Sequence, residues 1–110
     1  MNALAPIDDP ALERLLRRVV DVMRPLEVWL FGSRAEGRAR PDSDYDLLVV
    51  LPDDVDANAF DPVRSWQIGR DVRVPADIVP CTHAEFVEDQ GEIDTLARAA
   101  VTRGRRLFER

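Results

Sequence analysis

The period of the apolar positions changes several times along the chain, and each change marks an element. Leu12, Leu15, Leu16, Val19 and Met23 recur at helical spacing, with Glu13, Arg14, Arg17, Arg18 and Asp21 on the other face. Asp9-Pro10 supplies an N-cap followed by proline in the first turn, and Pro25 stops the helix near residue 24. Leu26 to Phe31 is a short apolar run that predicts a strand, ended by Gly32. Ser33 to Ser43 is polar and carries Gly37 and Pro41, which predicts a short helical turn and then a loop. Tyr45 to Leu51 is apolar on both pleat faces, the mark of an interior strand covered on both sides. After Pro52 and the acids Asp53, Asp54 and Asp56, Asp61-Pro62 repeats the cap-plus-proline signature. It opens a helix to about Asp71, with Val63 and Trp66 inward and Trp66 and Phe60 assigned to the core. Pro75 and Pro80 bracket a strand over Ala76 to Val79. Thr82 and Glu85 form a capping box for a helix to about Gln90. Ile93, Leu96, Ala97, Ala100 and Val101 define a last helix closed by Gly104, and Arg105 to Glu109 adds an edge strand through Leu107 and Phe108. With no repeat, low-complexity tract or linker, residues 1–110 read as a single α/β domain of about four strands and four helices.

Composition narrows what such a domain does. At 110 residues there is room for one domain, and 45% apolar with 33% charged residues supports a core. No run approaches the roughly 20 apolar residues of a membrane helix, and the first residues lack a signal-peptide pattern, so the expectation is a cytoplasmic domain without membrane contact. A single cysteine, Cys81, excludes an internal disulfide and reads as a half-buried filler. His83, the lone histidine, follows Thr82 at a helix start with no second metal ligand in evidence. Net charge is −6, and all 15 basic residues are arginine. An acidic domain repels duplex nucleic acid, so direct nucleic-acid binding is a poor reading and a basic protein partner a better one.

The chemistry concentrates in Phe31-Gly32-Ser33-Arg34-Ala35-Glu36-Gly37 and Pro41-Asp42-Ser43-Asp44-Tyr45-Asp46. Asp44 and Asp46, two apart at the start of a strand, project from one face, with Leu48 and Val50 further along it. Side by side the two carboxylates repel unless a cation sits between them, and paired oxygen ligands suit Mg²⁺. Asp77 opens the next predicted strand; if the strands are neighbours, three carboxylates converge. Such a set can hold two metal ions about 3.5–4 Å apart for in-line displacement at phosphorus. Gly32 lets the backbone approach a phosphate, and Ser33 stands where free N–H groups favour anions. Each piece also has a plainer role. Ser33 and Glu36 can form a capping box, Asp42, Ser43 and Asp44 can be turn residues, and Asp77 can be a solvated strand-end acid.

Together these residues resemble a known signature. Gly32-Ser33, ten intervening residues and Asp44-x-Asp46 are similar to the pattern of the nucleotidyltransferase superfamily related to DNA polymerase beta. The run GSRAEG…PDSDYDLLVV resembles the minimal nucleotidyltransferase (MNT) domain proteins in particular, whose layout matches essentially the whole chain. The resemblance implies a polymerase beta-like α+β fold, a small mixed sheet flanked by helices. It also implies that Gly32, Ser33 and Arg34 hold the triphosphate of an NTP, most readily ATP. Asp44 and Asp46 would bind Mg²⁺, with Asp77 completing a second metal site and orienting the attacking hydroxyl. Glu36 departs from the basic or small residue common at its position and is expected to turn outward. The implied reaction moves a nucleoside monophosphate to an acceptor hydroxyl. With no acceptor-binding domain in the chain, the acceptor belongs to another subunit, giving a homo- or hetero-oligomer. Short MNT proteins resemble antitoxins of HEPN/MNT pairs, which implies AMPylation of a HEPN ribonuclease toxin. The competing expectations are an antitoxin that only binds its partner and an aminoglycoside-type small-molecule nucleotidyltransferase.

Overall fold

In the computed structural model, which describes residues 3–4 and 7–110, helix α1 (Pro10–Met23) follows the stripe predicted for it. Leu12, Leu15, Leu16, Val19 and Met23 are all buried. Asp9 caps the helix, its Oδ1 accepting from the N–H groups of Ala11 and Leu12 at 3.1 and 3.2 Å. A cap of this kind contributes about 1 kcal/mol and each buried leucine about 1.5–3 kcal/mol, so the apolar stripe decides where the helix lies. The chain leaves α1 at Arg24 in left-handed backbone (φ 50°), and Pro25 prevents continuation.

The sheet consists of β1 (Ala3–Leu4), β2 (Glu27–Phe31), β3 (Tyr45–Leu51), β4 (Ala76–Thr82) and β5 (Arg105–Glu109), in the order β1-β5-β2-β3-β4. Only β3 and β4 run parallel, joined by helix α2 (Pro62–Val72), since a parallel pair needs a crossover. Strand β3 is buried on both faces, as its continuous apolar run predicts. Tyr45, Leu47, Val49 and Leu51 pack with α1, while Leu48 and Val50 meet Phe86 of α3 (His83–Asp89) and Ala97 and Ala100 of α4 (Leu96–Arg103). The result is the expected α+β arrangement, four helices around a mixed sheet, with the two-residue β1 as a fifth strand. No helix among the described residues is long and apolar enough to cross a membrane.

Several boundaries differ from expectation. Strand β4 runs through Pro80 to Thr82, because it is an outer strand, paired with β3 alone, and a missing N–H is tolerated there. Strand β5 is no edge: it lies between β1 and β2. Residues 33–37 do form the short helical turn expected, with Ala35 and Glu36 N–H both donating to Gly32 O at 3.1 Å. Ile93 falls outside α4 and is 82% exposed, because Thr95 caps the helix two residues later. In α2 the buried residues are Ser65, Ile68 and Gly69, whereas Val63 and Trp66, expected inward, are 67% and 56% exposed. Phe60, in a 3₁₀ turn over Ala57–Phe60, does pack against the core, though only partly buried.

Candidate active site

Strand pairing brings the chemistry-bearing residues to one end of three adjacent strands. Phe31, the last residue of β2, pairs with Asp46 of β3, which in turn pairs with Asp77 of β4. Asp44 stands one residue before β3 begins. Gly32 then turns the chain away from β2 in left-handed backbone (φ 74°). A Cβ at this position would overlap Oδ2 of Asp46, so glycine is required twice over, by conformation and by contact. The turn and the Asp46 carboxylate are therefore in direct apposition.

Asp46 is half-buried, while Asp44 and Asp77 are exposed. Burial, then the charges of Asp77 and Asp44, push the Asp46 carboxyl above its ordinary pKa. Burial is the larger cause, and the like charges of Asp77 and Asp44 add to it. The donors are all carboxylate oxygens, the ligand type suited to Mg²⁺. Among the described residues no three acidic, histidine or cysteine side chains are already drawn into a closed cluster, in keeping with two of these three like charges turned to solvent.

On the other side of Asp46, the capping box read from Ser33 and Glu36 does not form. Glu36 faces outward and pairs with Arg38 at 3.3 Å. The Ser33 hydroxyl makes no hydrogen bond among the described residues, so it is available to a phosphate oxygen. Arg34 is differently placed from a pure phosphate ligand. Its Nε and Nη2 donate to Ser43 O at 3.2 and 2.7 Å, and Nη2 also reaches Pro41 O at 3.3 Å. Its guanidinium carbon stands 4.2 Å from the centre of the Tyr45 ring, and the Tyr45 hydroxyl donates to Asp9 Oδ2 at 2.6 Å. Arg34 thus braces the loop between the Gly32 turn and Asp44, leaving Nη1 as its nitrogen without a protein acceptor.

Beyond Asp44 opens a cleft of about 570 Å³, lined by Asp44, Trp66, Arg70, Arg73, Pro75 and Ala76 among others. The Arg70 guanidinium lies over the Trp66 ring, 5.1 Å from its centre. Sequence reasoning placed Trp66 in the core and passed over Arg70 and Arg73, because two of the three buried positions of α2, Ser65 and Gly69, do not announce a buried face. A Cβ on Gly69 would come within 3.0 Å of Val74 O, so glycine lets α2 lie tightly over the start of β4. Cys81 and His83 stand apart from the site. Burial, then the charges of Glu85, Asp89 and Glu27, push the Cys81 thiol up to about 12, so it stays an unreactive thiol.

Three solved structures of similar fold are toxin–antitoxin assemblies. A toxin–antitoxin with AMP-PNP aligns at a TM-score of 0.59 and 23% identity, covering 94% of this chain and 75% of that one. A mutant MntA–HpeT toxin–antitoxin aligns at 0.60 with 20% identity, covering 89% and 73%. A tri-AMPylated HEPN toxin of Shewanella oneidensis in complex with MNT antitoxin aligns at 0.57 with 19% identity, covering 92% and 71%. At these identities the likeness is one of fold, and it agrees with the fold that the resemblance to the nucleotidyltransferase superfamily implied. Among curated proteins no relative matches the chain. Residues 12–105, nearly all of the sequence, match the family model for the nucleotidyltransferase domain, and the chain belongs to that family.

Proposed function

We propose that this domain transfers AMP from ATP to a hydroxyl of a protein partner, and that the partner is a HEPN-type toxin silenced by the transfer. The observation that carries this reading is the register Phe31–Asp46–Asp77, which lines up the Gly32 turn, the paired carboxylates and the third acid across three adjacent strands. Gly32 and the Ser33 hydroxyl hold the triphosphate. Asp44, Asp46 and Asp77 are the residues that would hold Mg²⁺, which when bound neutralises charge on the phosphate oxygens. Asp77, on the outer strand, orients the acceptor hydroxyl and accepts its proton. The acceptor oxygen bonds to the α-phosphorus as the bond to pyrophosphate breaks. The acidic surface and the toxin–antitoxin assemblies among the fold neighbours support a basic protein partner, in the cytoplasm where ATP and Mg²⁺ are at hand.

The test uses ATP labelled on its α-phosphate, Mg²⁺ and a lysate of the native host, with wild type and Asp46→Asn run side by side. The expected result is a labelled protein band with wild type that disappears with Asp46→Asn while the fold is kept. An equal band with the variant removes Asp46 from the chemistry. No band, with a partner still co-purifying, replaces transfer by stoichiometric binding. Label found in a small molecule alone points to an aminoglycoside-type acceptor.

A further inference from the structure

Resting on that reading, we infer that the cleft lined by Trp66, Arg70 and Arg73 is the acceptor subsite, and that it takes a protein segment carrying a carboxylate beside the acceptor hydroxyl. Displacement at phosphorus places the attacking and leaving oxygens on opposite sides of the phosphorus atom. The leaving pyrophosphate belongs to the Gly32–Ser33 turn at the end of β2, and the sheet order β2-β3-β4 puts Asp46 between that turn and Asp77. The acceptor therefore enters from the β4 side. The cleft is on that side: its wall includes Pro75 and Ala76, immediately before Asp77, and Asp44 also lines it.

The lining describes the occupant. Trp66 exposes 56% of its surface, an apolar cost with no internal return, and offers a flat face to a side chain or a peptide plane. Arg70 and Arg73 make no ion pair among the described residues, although the chain as a whole carries a charge of −6. Arg70, which lies over Trp66 and whose charge also acts on the neighbouring Asp71, and Arg73 present guanidinium groups suited to a carboxylate, which each can bind through two parallel hydrogen bonds. A segment anchored in this way presents its hydroxyl beside Asp77. In this arrangement ATP lies on the Gly32 side of Asp46, and Asp44, which also lines the cleft, marks where the donor and acceptor sides meet.

Trp66→Ala and Arg70→Gln alter exposed side chains on α2, and a thermal melt checks that each variant keeps the wild-type fold. Calorimetry then measures ATP binding in Mg²⁺, and α-labelled ATP measures transfer to the host-lysate protein that wild type labels. The expected result is ATP affinity within about twofold of wild type and labelling slowed by about tenfold or more, with Arg70→Lys in between. ATP affinity that falls in step with labelling overturns the proposal, because the cleft would then hold the donor's base. Unchanged labelling also overturns it, since the acceptor would enter elsewhere. A wild type that binds no ATP and labels nothing overturns the nucleotidyl-transfer reading itself, and the acceptor subsite with it.

Discussion

Asp9 serves two elements at once, with Oδ1 capping α1 and Oδ2 accepting from the Tyr45 hydroxyl. Tyr45 sits between the two carboxylates of the D-x-D pair, and Arg34 lies over its ring while holding Ser43 O. The start of β3, and with it the spacing of Asp44 and Asp46, is thus tied to the N-terminus of α1. Burial draws the Asp9 pKa upward, but the hydrogen bond from Tyr45, those from the N–H groups of Leu12 and Ala11, and the Arg34 charge outweigh it. The net shift is downward. The fold therefore favours the carboxylate, and this stability is fully present above the ordinary carboxylate range and is lost as pH falls through the lowered folded value. Asp9→Ala should cost about 1–2 kcal/mol near neutral pH, and the gap to wild type should shrink below about pH 4. Urea melts across that range check it, and a gap independent of pH would remove the charge from the account. Part of this was legible in the sequence. Asp9-Pro10 announces the cap, but nothing near residue 9 announces a partner 36 positions away, and Arg34 reads as a phosphate ligand until Tyr45 is placed beneath it.

The elements were legible where local signals agree and obscure where tertiary contact overrides them. Helix α1 and strand β3 carry unbroken apolar patterns, and α3 carries a complete capping box at Thr82 and Glu85, so their bounds follow from sequence. Strand β4 was cut short at Pro80 because proline usually ends a strand; its outer position is a fact of the sheet, not of the segment. The site divides in the same way. Gly32, Ser33, Asp44 and Asp46 lie in one short stretch and are readable by spacing, whereas their meeting with Asp77 depends on β3 and β4 being neighbours. The join between α4 and β5 was read correctly as a glycine stop, but for an incomplete reason. Gly104 has extended backbone rather than the left-handed cap conformation, and its constraint is space. A Cβ there would stand 2.5 Å from Leu30 O and 2.6 Å from Ala100 O, both backbone atoms that cannot swing aside. Gly104→Ala should therefore destabilise the fold by about 1–3 kcal/mol by forcing α4 and β5 away from β2. Hydrogen exchange should show the loss at Leu30 and its neighbours, and an unchanged melting curve would mean the helix end relaxes freely.

At the scale of the whole molecule, charge is unevenly spread. Thirteen of the 21 acidic residues fall within residues 41–63 and 74–97, stretches that contain no arginine. They include the site carboxylates, the loop before α2, and α3 with the segment after it, where Val87 and Ile93 are also exposed. An acidic surface interrupted by apolar side chains attracts a basic partner at long range and gives it apolar contact once docked. Arg70 and Arg73 at the Trp66 cleft lie outside these acidic stretches, and in the proposed reading they would orient the acceptor segment after encounter. Long-range attraction of this kind weakens as the screening length shortens, from about 10 Å at 0.1 M salt to about 3 Å at 1 M. If the proposed basic protein partner is right, its association should therefore slow by about tenfold or more between low and high salt, while dissociation changes much less. Stopped-flow or surface-binding kinetics over a salt series separates the two rates. A flat association rate would mean that the charge of −6 plays no part in encounter, and would leave the apolar contacts and the cleft to choose the partner by themselves.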